Sequence, residues 1–176
     1  MERMKSTDAA LLQTAISIAT QAHAGQVDKA GYPYILHPIR VMEEFMWFVD
    51  PEHALGHAGL DRAVVGVLHD VIEDTTETLE TVETQLRRIS PASRVKPIVA
   101  ALDAITHRPN EPYFESYIVR VLADPIAAAV KYKDVFDNTR RLSPDTMDHK
   151  TFERLTEKYE RAYHLLRPTA YGLRGH

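Results

Sequence analysis

The chain has 176 residues, no cysteine and a formal net charge of −4 at pH 7. The length suits one domain with its own hydrophobic core, and the absence of cysteine excludes disulfides, thiolate metal ligands and a cysteine nucleophile. The acidic balance disfavours a nucleic-acid binder, which needs a basic face, but is compatible with a small anionic substrate. No apolar stretch is long enough for a membrane span or a signal-peptide core, so we expect a cytoplasmic protein that binds no membrane.

Helical periodicity recurs along the chain, and no convincing alternating strand pattern interrupts it. The first predicted helix ends before Gly25, a typical helix stop. A loop without helical period follows at residues 26–36, and Pro38 suits the first turn of a second helix that runs to about residue 49. Residues 60–72 are apolar on nearly every face, which indicates a central buried helix.

Amphipathic segments separated by prolines follow this central helix. They are predicted, in chain order, at residues 79–89, 95–105, 113–122, 125–141 and 150–166. The sequence therefore predicts an all-α fold, a single-domain bundle of about eight helices at residues 1–168. Late proline and glycine predict a flexible C-terminal tail at residues 169–176. Trp47 and Phe48 suit either the core or an interface between copies, so the oligomeric state stays open.

Four ionisable residues stand at the end of the most apolar predicted helix. They are His69, Asp70, Glu73 and Asp74. On a continuous helix the two later acids lie one turn beyond the His-Asp pair, so one pocket can collect all four side chains. Burying several carboxylates together is costly unless a cation neutralises them, and the apolar flanks favour the cation. The alternative is an exposed acidic helix end.

Asp134 and His37 also stand at positions where a polar side chain needs an explanation. Asp134 shares the apolar face of the predicted helix at 125–141 and therefore points toward the core. An ion pair with Lys131 or Arg141 on the surface is the simpler explanation of this aspartate. His37 stands between the ordered loop and Pro38, where it serves either as a helix cap or as a metal ligand.

Together, two imidazoles and two carboxylates suit Mn²⁺, Fe²⁺ or Zn²⁺, with water completing the coordination shell. Such an ion polarises a phosphoryl oxygen and lowers the pKa of water, while a nearby carboxylate takes or relays the proton. Glu73 and Asp74 suit that second role. The residues thus predict a metal-dependent phosphohydrolase.

Four blocks of sequence carry a resemblance to a known family. They are AHAGQVDKAGYPYILHP at 22–38, VVGVLHDVIEDT at 64–75, LDAITHRP at 102–109 and KYKDVFDNTR at 131–140. In order and spacing they resemble the HD superfamily of metal-dependent phosphohydrolases, and more narrowly the hydrolase domain of the RelA/SpoT family. The resemblance implies an HD-type helical bundle and removal of the 3′-pyrophosphate from alarmones such as ppGpp, which regenerates GDP or GTP. The chain has no room for a synthetase domain, so it resembles the stand-alone small alarmone hydrolases of the SpoT-homologue group.

The resemblance also implies roles for individual residues. It assigns a metal, typically Mn²⁺, to His37, His69, Asp70 and Asp134. It assigns water activation to Glu73 and Asp74, contact with the nucleotide to Asn138, and contact with the phosphates to Lys29. Tyr34 is expected only to support the loop. Arg108 and the neighbouring His107 are weaker candidates for the phosphates, since an arginine in a loop is more often simply exposed.

One position departs from the family pattern. Many members carry an Arg-Lys pair before the glycine, with the arginine at the purine base, whereas this chain has Asp28 and Lys29. An acid cannot stack on a base as a guanidinium does. Asp28 accepts hydrogen bonds from a base edge in one interpretation, which makes an adenine alarmone such as ppApp a candidate beside ppGpp. In the other it is a solvated loop residue.

Two further function classes compete with alarmone hydrolysis. The first keeps the metal and changes the substrate, as in another HD-type nucleotidase, a phosphodiesterase or a phosphatase acting on a 2′-phosphorylated dinucleotide. The second is a non-catalytic alarmone-binding or metal-binding protein, which an intact Glu73–Asp74 pair disfavours.

Overall fold

The computed structural model describes residues 5–46 and 57–170, and the regular structure of this part is helical. The helices are α1 (Ser6–Ala22), α2 (Leu36–Met46), α3 (His57–Leu68), α4 (Val71–Asp74), α5 (Leu79–Arg87), α6 (Ala92–Ile105), α7 (Ile118–Ala123), α8 (Pro125–Arg140) and α9 (His149–Ala170). A π-helical turn covers Tyr113–Tyr117, and a 3₁₀ turn covers Pro144–Thr146. In the described part, an isolated bridge between Val27 and Pro33 is the only β-type pairing. The predicted all-α bundle is confirmed.

Helix α3 lies at the centre of the bundle, as its apolar composition predicts. It packs against α1, α2, α6 and α8, and its residues Val64, Val67 and Leu68 are fully buried. Helix α9 packs along α8 on the outside. No helix in the described ranges is both long enough and apolar enough to cross a membrane. The layout brings the ends of α2, α3 and α8 near one another.

The predicted helix at residues 60–72 is not continuous. Helix α3 ends at Leu68, a turn holds His69 and Asp70, and α4 adds four residues. The His69 ring Nδ1 lies 2.8 Å from the carbonyl oxygen of Gly66, which an unbroken helix would offer to the amide of Asp70. The side chain thus competes with the helical ladder. The amide of Asp74 still donates to the carbonyl of Asp70 at 2.9 Å, which keeps the two later acids one turn beyond the pair.

The last helix is longer than the sequence predicts. Helix α9 continues through Pro168 to Ala170, four residues beyond the predicted end at 166, because a proline in the last turn removes one amide donor without ending the helix. Residues 171–176 of the predicted tail lie outside the described residues. Trp47 and Phe48 lie outside them as well.

A glycine sets the distance between α2 and α3. A Cβ on Gly66 would stand 3.3 Å from both the Cα and the backbone nitrogen of Met42, closer than side chains ordinarily approach a backbone. These atoms belong to the backbone of α2, which cannot rotate away as a side chain can. Gly66 therefore allows close packing of the helices that lead to His37 and His69.

We expect Gly66→Val to destabilise the protein by roughly 1–3 kcal/mol, because overpacking must push α2 away from α3. Chemical denaturation of the variant and the wild type measures this loss. Gly66→Ala is the matched control, since the methyl group makes the same contact while alanine gains up to about 1 kcal/mol in helix propensity. A valine variant as stable as the wild type would contradict the close packing.

Candidate metal centre

Four predicted ligands converge where α2 begins, α3 ends and α8 passes. His37, His69 and Asp70 each offer one potential ligand atom, and these atoms lie within 4.8 Å of one another. Asp134 joins them from α8: its Oδ1 lies 3.1 Å from His37 Nε2 and 3.7 Å from His69 Nε2. Asp70 Oδ2 lies 3.1 Å from His69 Nε2 and 3.6 Å from His37 Nε2. One oxygen of each carboxylate thus faces the same edge of both rings.

The orientation of His69 leaves one ring nitrogen without a hydrogen bond. Its Nδ1 contacts the carbonyl oxygen of Gly66, which can only accept, so Nδ1 carries the proton in the neutral ring. The opposite nitrogen, Nε2, is buried and has no hydrogen-bond partner within the described part of the chain. A buried nitrogen lone pair aimed at two carboxylates fits a bound cation, because a cation satisfies all three groups.

His37 is oriented by a residue that the sequence reasoning did not single out. Its Nδ1 lies 2.7 Å from Asp137 Oδ2, and Asp137 accepts two further hydrogen bonds from Arg40, at 2.8 and 2.9 Å. The carboxylate fixes the proton on Nδ1 and turns Nε2 toward Asp134. Asp137 stands three residues after Asp134, one helical turn away, and this spacing was the available signal. Such carboxylate–histidine contacts are typical of metal ligands.

Asp134 forms an ion pair with Lys131 and also contacts the histidines of the cluster. Its Oδ2 lies 2.8 Å from Lys131 Nζ, and its Oδ1 accepts a hydrogen bond from Asn138 at 2.5 Å. The Lys131 ion pair foreseen as the simpler explanation is therefore present, but it is not on the surface, since the lysine side chain is only 14% exposed. Arg141 pairs instead with Asp28. The lysine leaves Oδ1 directed at the histidines.

The charges of the cluster shift the pKa values of its members. Burial opposes ionisation of each carboxylate, but His69 beside Asp70 and Lys131 beside Asp134 outweigh it and lower the pKa of both acids. Burial likewise opposes protonation of His69, but the neighbouring carboxylates raise its pKa well above the ordinary value. The pKa of His37 is also raised, against burial, by Asp134 and Asp137. A centre that attracts protons this way also attracts a metal cation.

Glu73 and Asp74 lie at the exposed rim of the cluster. Glu73 accepts a hydrogen bond from the backbone amide of His107 at 2.9 Å. Asp74 lies 3.3 Å from the hydroxyl of Tyr34, which also donates to Asp70 at 2.7 Å. Partial withdrawal from water and the charge of Asp70 raise the pKa of both Glu73 and Asp74. Tyr34 therefore links the loop to a predicted ligand as well as supporting the loop.

A cavity of about 340 Å³ opens beside His37. Three of the four predicted substrate contacts, Asp28, Lys29 and Asn138, line it. Its lining also includes the largely apolar side chains of Leu142, Met147, Leu155 and Tyr159. Cavities of this size and mixed character accommodate small ligands. The structure does not bring Arg108 to this cavity, because its guanidinium pairs with Asp103 at 3.0 Å on the surface.

The carboxylate of Asp28 is held by the backbone of its own loop and by an arginine. Its Oδ1 accepts hydrogen bonds from the amides of Ala30 and Tyr32, both at 2.9 Å, and Oδ2 pairs with Arg141. The hydrogen bond from Arg141 lowers the pKa of Asp28. Asp28 lines the cavity but its carboxylate organises the loop and holds the arginine, so both interpretations of this residue from sequence missed its contacts.

Asp137→Asn should weaken Mn²⁺ binding by about tenfold or more, because contacts behind a ligating histidine set its orientation and basicity. Equilibrium dialysis with metal analysis measures the change. Asp103→Asn, which removes an equal charge from an exposed pair, is the matched control. Unchanged Mn²⁺ affinity in Asp137→Asn would contradict the assignment of His37 as a ligand.

Mn²⁺ affinity should also be lower at about pH 6 than at about pH 8, because only neutral imidazole binds metal and the raised pKa values of His37 and His69 make both rings take up protons more readily than a free imidazole does. The lowered pKa values of Asp70 and Asp134 keep these acids charged throughout, so they do not produce the effect. Calorimetry in buffers of different ionisation enthalpy measures affinity and proton release together. Equal affinity at both pH values, without proton release, would refute the histidine ligands.

The chain is similar in sequence to several known proteins. No protein-family model matches the chain. The chain is 33% identical over 135 residues to the bifunctional (p)ppGpp synthase/hydrolase SpoT of Escherichia coli K12. The aligned region covers 74% of the chain and 18% of this relative. It is 28% identical over 137 residues to the guanosine-3′,5′-bis(diphosphate) 3′-pyrophosphohydrolase of Aquifex aeolicus, covering 74% and 18%. A GTP pyrophosphokinase of Myxococcus xanthus is 28% identical over 155 residues, covering 84% and 18%. The chain thus spans less than a fifth of the length of these relatives, and over most of its own length it is similar to one segment of RelA/SpoT-type enzymes.

Proposed function

We propose that the chain is a metal-dependent hydrolase that removes the 3′-pyrophosphate of a purine alarmone of the ppGpp or ppApp type. The products are pyrophosphate and the nucleoside 5′-di- or triphosphate. The observation that carries the proposal is the buried Nε2 of His69, which has no hydrogen-bond partner among the described residues and faces one oxygen each of Asp70 and Asp134, near a cavity of about 340 Å³. The similarity to relatives named as ppGpp hydrolases supports the substrate class.

The proposed metal ligands are His37, His69, Asp70 and Asp134. Mn²⁺ suits this set, and Fe²⁺ and Zn²⁺ are the alternatives. When bound, the ion supplies Lewis-acid polarisation of a phosphoryl oxygen and makes water a better nucleophile. The protein holds the two rings with Nε2 inward through Gly66 and Asp137, so that little reorganisation accompanies loading.

Glu73 and Asp74 are the proposed proton acceptors. Both lie at the rim, where water reaches them, and their raised pKa values make them stronger bases than ordinary carboxylates. The amide of His107 and the hydroxyl of Tyr34 hold them in place. These contacts favour a hydrolytic role over mere metal binding.

The nucleotide is proposed to occupy the cavity beside His37. Lys29 would face the phosphates as a cation, and Asn138, which donates to Asp134, links the nucleotide to a metal ligand. The apolar wall suits a base. Asp28 lines this cavity while its carboxylate holds the loop and Arg141, and both purines belong in the test.

We expect the Mn²⁺-loaded protein to release intact pyrophosphate from ppGpp, ppApp or both, because the metal and the acidic pair flank the place of the 3′-phosphates. Ion-exchange chromatography of the products measures this, with GDP or ADP as the second product. Release of monophosphate alone would contradict the proposal and favour another phosphohydrolase, which a panel of nucleotides and 2′-phosphorylated dinucleotides would identify.

The control separates catalysis from binding. The Glu73→Gln/Asp74→Asn variant should lose activity about 100-fold or more while its Mn²⁺ content stays nearly unchanged, since neither residue is a proposed ligand. Glu77→Gln/Asp103→Asn removes the same charge elsewhere and should keep full activity. If the wild type is as inert as the variant and yet binds ppGpp, the protein is an alarmone-binding protein.

A further inference from the structure

A second cavity, of about 350 Å³, is lined in part by Asp137, the residue that contacts the ring of His37. We call it the arginine groove. It is lined by Tyr32, Leu36, Arg40, Asp137, Arg140 and Arg141. Arg141 lines both cavities, so the groove adjoins the proposed nucleotide site. Half of the lining residues carry a guanidinium group.

Helix ends explain only part of this concentration of arginines. Arg140 and Arg141 stand at the C-terminal end of α8, where positive side chains balance the helix dipole. The helix dipole does not explain Arg40, because this residue comes from the middle of α2. Arginines from two helices therefore converge on one opening.

The carboxylates of this region are already engaged. Asp137 binds Arg40 through both oxygens and also contacts His37. Asp28 pairs with Arg141. Arg140 has no carboxylate within ion-pair distance in the described ranges, and its guanidinium lies over the ring of Phe136 at 5.4 Å. The groove thus presents one more positive charge than its carboxylates balance.

We propose that the arginine groove is a binding site for a phosphate-bearing anion. Guanidinium groups form paired, charge-assisted hydrogen bonds with phosphate oxygens, and several on one concave surface hold a polyphosphate better than an isolated arginine does. Tyr32, 60% exposed at the edge of the groove, offers a flat surface for the organic part of such a ligand. The anion is either the 5′-polyphosphate of a nucleotide in the adjoining cavity or a separate molecule.

Binding of inorganic tripolyphosphate to the metal-free 176-residue chain tests the site independently of any enzymatic activity. Calorimetry at low ionic strength should show binding that weakens as salt is added. Arg140→Gln should weaken it about tenfold, because this residue lines only the groove. Lys29→Gln changes a residue that lines only the nucleotide cavity, so it reports any tripolyphosphate bound there and should weaken binding less than Arg140→Gln does.

The charge-matched control is Arg87→Gln, which removes a surface arginine paired with Glu83 on α5. It should bind like the wild type, and thermal melts establish that all three variants fold. Absence of tripolyphosphate binding would overturn the proposal. It would also be overturned if Lys29→Gln loses binding and Arg140→Gln does not, or if Arg87→Gln loses as much as Arg140→Gln.

Competition distinguishes the two sources of the anion. If ppGpp displaces tripolyphosphate from the wild type but not from Arg140→Gln, the groove takes the 5′-phosphates of the nucleotide. If ppGpp and tripolyphosphate bind together, the groove takes a separate anion. Both results support the site, and both are obtained whether or not ppGpp is hydrolysed.

Discussion

The carboxylate of Asp134 is only 4% exposed, and the arrangement of the centre follows from the need to stabilise it there. An uncompensated buried charge costs several kcal/mol, and Lys131, one turn earlier on α8, compensates from one side through Oδ2. The other oxygen faces His37 and His69, whose far ring nitrogens are held by Asp137 and the Gly66 carbonyl. Each contact turns Nε2 of a histidine inward, so a bound cation would complete a set of groups that the fold already directs at one point.

The backbone of α3 and its packing against α2 also help to bring the side chains of the cluster together. Helix α3 could have continued through residue 72 on hydrophobic pattern alone, but the ring of His69 takes the Gly66 carbonyl and the helix ends. The turn that results carries His69 and Asp70 on a rigid, buried element. Close approach of α2 at Gly66 brings His37 to the same point. Local disruption of one helix is thus compensated by side-chain contacts of the site.

The sequence predicted most of the fold, because the hydrophobic period and the positions of prolines and glycines are local signals, and the observed helices agree with them. It also selected His37, His69, Asp70 and Asp134, which the structure brings together. It could not place Asp28, since the arginine that holds it lies 113 residues away and only the tertiary fold brings the two together. Asp137 was missed for a different reason: its spacing from Asp134 was visible, but its contact with a histidine 100 residues earlier was not.

The predicted metal ligands and most of the residues that line the cavity beside His37 lie on different parts of the fold. The predicted metal ligands lie on α2, on α8 and in the turn after α3, and the side chains of His37, His69 and Asp134 are buried. The walls that would recognise a nucleotide come from the loop before α2, the end of α8 and one face of α9. Arg141 belongs to both cavities and is held by Asp28, so a change in that one ion pair alters both. In the proposed function, changes in these loop residues would therefore alter recognition of the nucleotide without moving the buried His37, His69 and Asp134.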